Sequence, residues 1–163
     1  MQPAEETLLQ TIHEHLIKHH LTIATAESCT GGLIAHTLTN TSGSSAYFDR
    51  GIVSYSNRAK MELLNVSEEL LITHGAVSEP VAKAMAEGVR ANAQVDLGIA
   101  TTGIAGPTGG TKEKPVGLVY IAVATPEKTQ VKRCQFHGTR LQNKQSTLLT
   151  ALQMLHDILA SEW

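Results

Sequence analysis

Between Ala4 and His19 the apolar positions fall at Leu8, Leu9, Ile12, Leu16 and Ile17. That spacing predicts an amphipathic helix with one face turned to a core. The period then changes. Leu21 to Thr25 alternates and is rich in Thr and Ile, predicting a strand, and Thr30 to Asn40 predicts a helix opened by the Gly31-Gly32 pair. A hydroxyl-rich loop, Asn40 to Ser45, leads to a strand over 51–56, a short helix over Asn57 to Leu64 and another over Ser67 to His74. Glu79-Pro80 opens a longer helix carrying Val81, Met85 and Val89 on one face. Val95 to Thr102 reads as a buried strand running into Gly103-Ile104-Ala105-Gly106-Pro107-Thr108-Gly109-Gly110. Two further strands, 116–124 and 130–137, flank the turn Thr125-Pro126-Glu127-Lys128 and predict a hairpin. Leu141 to Leu159 closes the chain as an amphipathic helix.

Helices interleaved with strands, plus one hairpin, predict a single α/β domain over 1–163, a mixed sheet in a three-layer α/β/α arrangement. In such sheets ligands gather at the carboxyl ends of strands. Ser28, Tyr55 and Gly103 all fall near predicted strand ends.

Composition narrows the function classes. The 163 residues carry a net charge of −2 and only 4% aromatics, so there is neither a basic footprint nor a stacking surface for nucleic acid. No long apolar run and no basic-then-apolar leader stands out, and the two cysteines, Cys29 and Cys134, have no disulfide or zinc spacing. The expectation is a cytoplasmic protein that engages neither membrane nor nucleic acid.

The stretch Thr25-Ala26-Glu27-Ser28-Cys29-Thr30-Gly31-Gly32 predicts a strand, a sharp turn and a helix start near Thr30. Unpaired N–H groups and the helix dipole would there favour negative charge beside Ser28. Ser28 is thus either a helix cap or a nucleophile, and a nucleophilic serine needs a base. Lys60, in Tyr55-Ser56-Asn57-Arg58-Ala59-Lys60, lies about one turn into its helix. It serves as a base only with a depressed pKa, through burial or a neighbouring cation such as Arg58; otherwise it is a solvated lysine. Cys29 is a rival nucleophile or a buried structural thiol; His36, two turns along the same helix, is poorly directed to activate it, which leaves His74 and His137 as its candidate bases. The Gly103–Lys114 loop, with Lys112 and Lys114, has the glycines for close backbone approach to a ligand, yet matches neither the Walker nor the dinucleotide fingerprint. Arg140 and Lys144, one turn apart near a helix start, suggest an anion, or else a solvated face. The eight histidines show no metal-ligand pattern: His15 and His19 share a face, but no carboxylate completes the set.

Six blocks together resemble the CinA C-terminal domain family: Ala26 to Gly32, Gly43-Ser44-Ser45-Ala46-Tyr47-Phe48, Tyr55 to Lys60, His74-Gly75-Ala76-Val77-Ser78-Glu79-Pro80, Gly103 to Gly110, and Lys114-Pro115-Val116-Gly117. The resemblance covers about residues 5–160 and is to the stand-alone form of the family, whose characterised enzymes are PncC-type nicotinamide-nucleotide amidases, without the molybdopterin-binding-like domain of full-length CinA proteins. It implies hydrolysis of nicotinamide mononucleotide to nicotinate mononucleotide and ammonia, with no metal and no cofactor, by a homo-oligomer that is a dimer in its simplest form. It also implies Ser28 as nucleophile, Lys60 as base and Tyr55 assisting. Backbone N–H groups near Thr30 and Gly31, with Ser44 or Ser45, are candidates for the oxyanion. Gly103, Gly106, Gly109, Arg140 and Lys144 are candidates for the ribose phosphate. The family commonly reads Gly-Asp-Arg with a second arginine four residues on, whereas this chain has Gly138-Thr139-Arg140 and Lys144. Lysine offers a point charge in place of a bidentate fork, a difference that bears on phosphate affinity more than on chemistry. The alternative is a catalytically silent nucleotide-binding or assembly module of the same fold.

Overall fold

A computed structural model describes all of residues 1–163. In chain order the elements are α1 (Pro3–Lys18), β1 (Ile23–Glu27), α2 (Leu33–Leu38), β2 (Phe48–Val53), α3 (Asn57–Leu64), α4 (Glu68–His74), α5 (Glu79–Ala93), β3 (Leu97–Gly103), β4 (Leu118–Ala124), β5 (Thr129–Gln135) and α6 (Arg140–Glu162). The strands form one sheet in the order β2-β1-β3-β4-β5. β1 is parallel to both β2 and β3, while β3-β4 and β4-β5 are antiparallel. The mixed three-layer sheet and the hairpin are as the hydrophobic pattern predicts.

The connections explain the layering. From β1 the chain steps outward to β2 through α2, then returns past β1 to β3 through α3, α4 and α5. Crossovers between parallel strands are right-handed, so two steps in opposite directions put their helices on opposite faces. One core cluster accordingly joins α1, α2 and α6 to the large strand residues Ile23, Leu97, Ile99, Val119, Ile121 and Val123. The other joins α3, α4 and α5 to the alternate, small residues Ala24, Ala26, Ala100, Ala122 and Ala124. That alanine face lets α5 lie close to the sheet: a Cβ built on Gly98 would stand 2.3 Å from the Ala86 carbonyl oxygen.

Between β1 and β3 the chain reverses its direction of travel across the sheet, and the loops after the two strands diverge there. Ligand sites of open α/β sheets form in that crevice.

Several boundaries differ from expectation. β1 and β2 sit two or three residues from their predicted positions, and α2 begins at Leu33, not Thr30. The cause of the late start is backbone conformation. Gly31 and Gly32 have φ of +61° and +100°, a left-handed pair that cannot continue into a helix.

Candidate active site

Ser28 directly follows β1, 8% exposed, with its N–H donating to the Thr101 carbonyl of β3 at 3.0 Å. The residue before it was not singled out by the sequence. Glu27 is 1% exposed, and its carboxylate accepts from Thr30 Oγ1 at 2.6 Å and from the N–H groups of Ile34 and Ala35 at 2.9 and 3.0 Å. The free N–H groups that open α2 are therefore taken by a carboxylate of the chain itself. This corrects the expectation that the helix end is offered to charge developing beside Ser28. The Gly31 N–H is likewise committed, donating to the Ser28 carbonyl at 3.1 Å, which removes it as an oxyanion donor. Thr30 is buried with its hydroxyl on Glu27 and on Thr101 Oγ1, so its side chain braces the turn and does not face a ligand.

Lys60 reaches Ser28 from α3. The helix is started by Ser56, whose hydroxyl accepts the Ala59 N–H, and this cap places Lys60 over the carboxyl ends of β1 and β2. Lys60 is 1% exposed. Its Nζ lies 3.2 Å from Ser28 Oγ, 2.8 Å from the Ser54 carbonyl and 3.4 Å from the Tyr55 carbonyl, with no carboxylate to pair with. Burial pushes its pKa below the ordinary lysine value. Arg58 has no part in this: it points outward and pairs with Glu62 at 2.6 Å. The stereochemistry is informative. A neutral amine has two N–H bonds and one lone pair; with two carbonyls taking the hydrogens, the lone pair is left for the Ser28 hydroxyl.

Cys29 lines the same cleft but is buried, which pushes its thiol up to about 11. No histidine lines the cleft to pair with the thiol. Its role is packing in the core of the α1/α2/α6 layer.

The cleft, about 270 Å³, is walled by Tyr55 and Asn57 on one side and by Gly103, Gly106, Gly109 and Arg140 on the other. Arg140 donates to the Gly106 carbonyl at 2.8 Å and to the Tyr55 hydroxyl at 2.9 Å, bridging the two walls. Asn143, also missed in the sequence, fixes the glycine-rich wall: its Nδ2 donates to the Ala105 carbonyl at 2.9 Å, and its Oδ1 accepts the Gly138 N–H at 2.9 Å. Thr102 donates to the Ala76 carbonyl at 2.8 Å and so holds the loop before α5 against β3. Lys114 donates to the His74 carbonyl at 2.6 Å.

Two groups of expected residues lie outside the cleft. Ser44 and Ser45 occupy a 3₁₀ turn just before β2, at the amino end of a strand parallel to β1. They are the length of β1 from Ser28, roughly 17 Å at the usual rise, and cannot share its oxyanion. Lys144 does not line the cleft either. Its Nζ sits beside the turn, 3.7 Å from where a Gly31 Cβ would be, and makes no ion pair.

Comparison with known proteins agrees with this architecture. The family model for the CinA C-terminal domain matches residues 5–159. A CinA-like protein of Syntrophus aciditrophicus is 53% identical over 158 residues, 96% of this chain and 38% of that protein. A putative competence-damage inducible protein of Acetivibrio thermocellus is 53% identical over 151 residues, 93% of this chain and 37% of that one. The chain thus spans well under half the length of these relatives. Among solved structures, the competence/damage inducible protein CihA from Agrobacterium tumefaciens superposes with a TM-score of 0.92 at 42% identity, covering 96% of this chain and 95% of the other. The competence damage-inducible protein A from Klebsiella pneumoniae gives 0.93 at 36% identity over 96% and 98%.

Proposed function

This chain belongs to the CinA C-terminal domain family, and from that premise we propose that it is an amidohydrolase releasing ammonia from nicotinamide mononucleotide. The observation that carries the reading is the buried Lys60 amine, 3.2 Å from Ser28 Oγ and held by two backbone carbonyls. A silent binding module has no use for a desolvated lysine at that place, since burying an ammonium or amine without a counter-charge costs stability.

The proposed reaction begins with the neutral amine taking the Ser28 proton as Oγ attacks the carboxamide carbon. The tetrahedral oxyanion is met by the Thr30 N–H, which has no hydrogen-bond partner within the chain. One such donor is typically worth roughly 3 kcal/mol. Lys60 returns the proton to the departing nitrogen, ammonia leaves, and water, activated by the same amine, cleaves the acyl-enzyme. Tyr55 assists by holding Arg140 across the cleft, and the Gly103–Gly109 wall with Arg140 receives the ribose phosphate. The compartment in this reading is the cytoplasm, in keeping with two free cysteines. The assembly is a homodimer, for which exposed Leu63, Ile72 and Leu141 offer apolar surface.

The test is ammonia release from nicotinamide mononucleotide by purified protein. Ser28→Ala is expected to lower kcat by about 10⁴-fold or more while leaving nucleotide binding intact. Cys29→Ser should retain turnover. Saturable binding of the nucleotide without wild-type turnover would instead favour the silent module.

A further inference from the structure

Glu27 is a carboxylate taken wholly out of water with no cation beside it. Desolvating such a group costs several kcal/mol, and an apolar side chain at the end of β1 would avoid that cost. What the carboxylate does is close a ring of bonds around Ser28. Glu27 accepts from Thr30 Oγ1 at 2.6 Å, Thr30 Oγ1 lies 2.8 Å from Thr101 Oγ1, and the Thr101 carbonyl accepts the Ser28 N–H at 3.0 Å. The peptide bond between Glu27 and Ser28 completes the circuit. On the far side, Glu27 also holds the first N–H groups of α2, a six-residue helix too short to persist unaided. Every member of the ring is buried: Glu27, Ser28, Thr30 and Thr101. A fully satisfied buried network of this kind fixes one arrangement of the backbone.

We propose that Glu27 is a positioning residue for the Ser28–Lys60 pair. Resting on the reading of Ser28 as nucleophile, this assigns the carboxylate the task of holding Ser28 Oγ within reach of Lys60 Nζ. Arg140, on the cleft wall that would bind nucleotide, bonds to the Gly106 carbonyl and the Tyr55 hydroxyl and to no side chain of the ring. Breaking it therefore slows the attack of Ser28 and leaves substrate affinity in place. Glutamine at position 27 frustrates it in either orientation: an amide nitrogen at the Oε2 position meets the Ala35 N–H, donor against donor, and one at the Oε1 position meets the Ile34 N–H and removes the acceptor for Thr30 Oγ1.

The experiment follows Ser28 with a fluorophosphonate, which reacts by forming an Oγ–P bond as fluoride leaves, and which needs no nucleotide. Intact mass gives the labelling rate for wild type, Glu27→Gln, Thr30→Val and Thr30→Ser, each well below its own Tm, with kcat and KM for nicotinamide mononucleotide measured in parallel. Glu27→Gln and Thr30→Val are expected to label about 10- to 100-fold more slowly, the scale set by ångström-level misplacement of a reacting group. Their kcat should fall in step with KM nearly unchanged, and Thr30→Ser, which keeps the hydroxyl, should recover most of the rate. Wild-type labelling rates in folded Glu27→Gln and Thr30→Val, with only Tm lowered, would overturn the proposal. Should Glu27→Gln not fold, the Thr30 pair decides alone. Absence of ammonia release from wild type would remove the substrate reading while leaving the labelling comparison to judge Glu27.

Discussion

Lys60 sets the pH behaviour of the site. Burial holds its pKa below lysine's ordinary 10.5. Between that value and the depressed one, the unfolded chain carries a proton that the folded chain lacks. The fold therefore loses stability as pH falls through this window, and no further once both states are protonated. In the proposed mechanism turnover needs the neutral amine, so kcat should rise with pH through the depressed value and level off before 10.5; a rate that still climbed beyond it would contradict a tuned base. Lys60→Met removes both effects together. It should abolish ammonia release yet raise stability at neutral pH by about 1 kcal/mol, or about 2–4 °C in Tm for a domain of this size, read by thermal melts. A melt lower than wild type would show that the amine's bonds to the Ser54 and Tyr55 carbonyls outweigh its desolvation. Tyr55 belongs at the same scale. Its hydroxyl, 60% exposed on the residue and bonded to Arg140, is a clamp. Tyr55→Phe should raise KM several-fold and spare kcat, whereas a large fall in kcat would put that hydroxyl in the proton path.

Among the elements, two contacts matter most to the shape of the cleft. Gly88 of α5 passes the end of α3 so closely that a Cβ there would stand 2.1 Å from the Leu64 carbonyl oxygen. Alanine gains about 1 kcal/mol of helix propensity over glycine, but this clash is against backbone and cannot be relieved by a rotamer. Gly88→Ala should destabilise by about 2–3 kcal/mol, measured as a lower denaturant midpoint, and displace α3 with its lysine. Asn143 does the corresponding work from α6. Asn143→Ala leaves the buried Ala105 carbonyl unpaired and releases the Gly138 N–H, a loss of about 1–3 kcal/mol that should appear in Tm and as a raised KM.

What could be read in advance follows from these contacts. Element identity was legible wherever one period dominated, as in α1, α3, α5 and the β4–β5 hairpin, because amphipathic patterns report which face is buried. The start of α2 was not, since left-handed Gly31 and Gly32 stop a helix that composition alone would begin at Thr30. Ser28 and Lys60 were legible as a serine and a lysine after successive strands, but the burial that lowers the Lys60 pKa belongs to tertiary structure. Glu27, Thr101 and Asn143 went unnoticed for the same reason: each acts on a backbone group far along the chain or one helix turn away. Ser44 and Ser45 were misplaced because hydroxyl-rich loops look alike at either end of a sheet, and only strand direction tells the ends apart.

At the scale of the whole molecule, the cleft lies where the two outer layers meet over the strand ends. Lys60, the proposed base, comes from α3, packed on the alanine face, while Arg140 comes from α6, packed on the opposite face. Neither layer holds a complete site. A protein arranged this way acts as its own assembly gauge: partial detachment of either layer silences it before secondary structure is lost. Residual turnover on heating should then fall a few degrees ahead of the helical signal, making catalysis a finer thermometer of docking than circular dichroism.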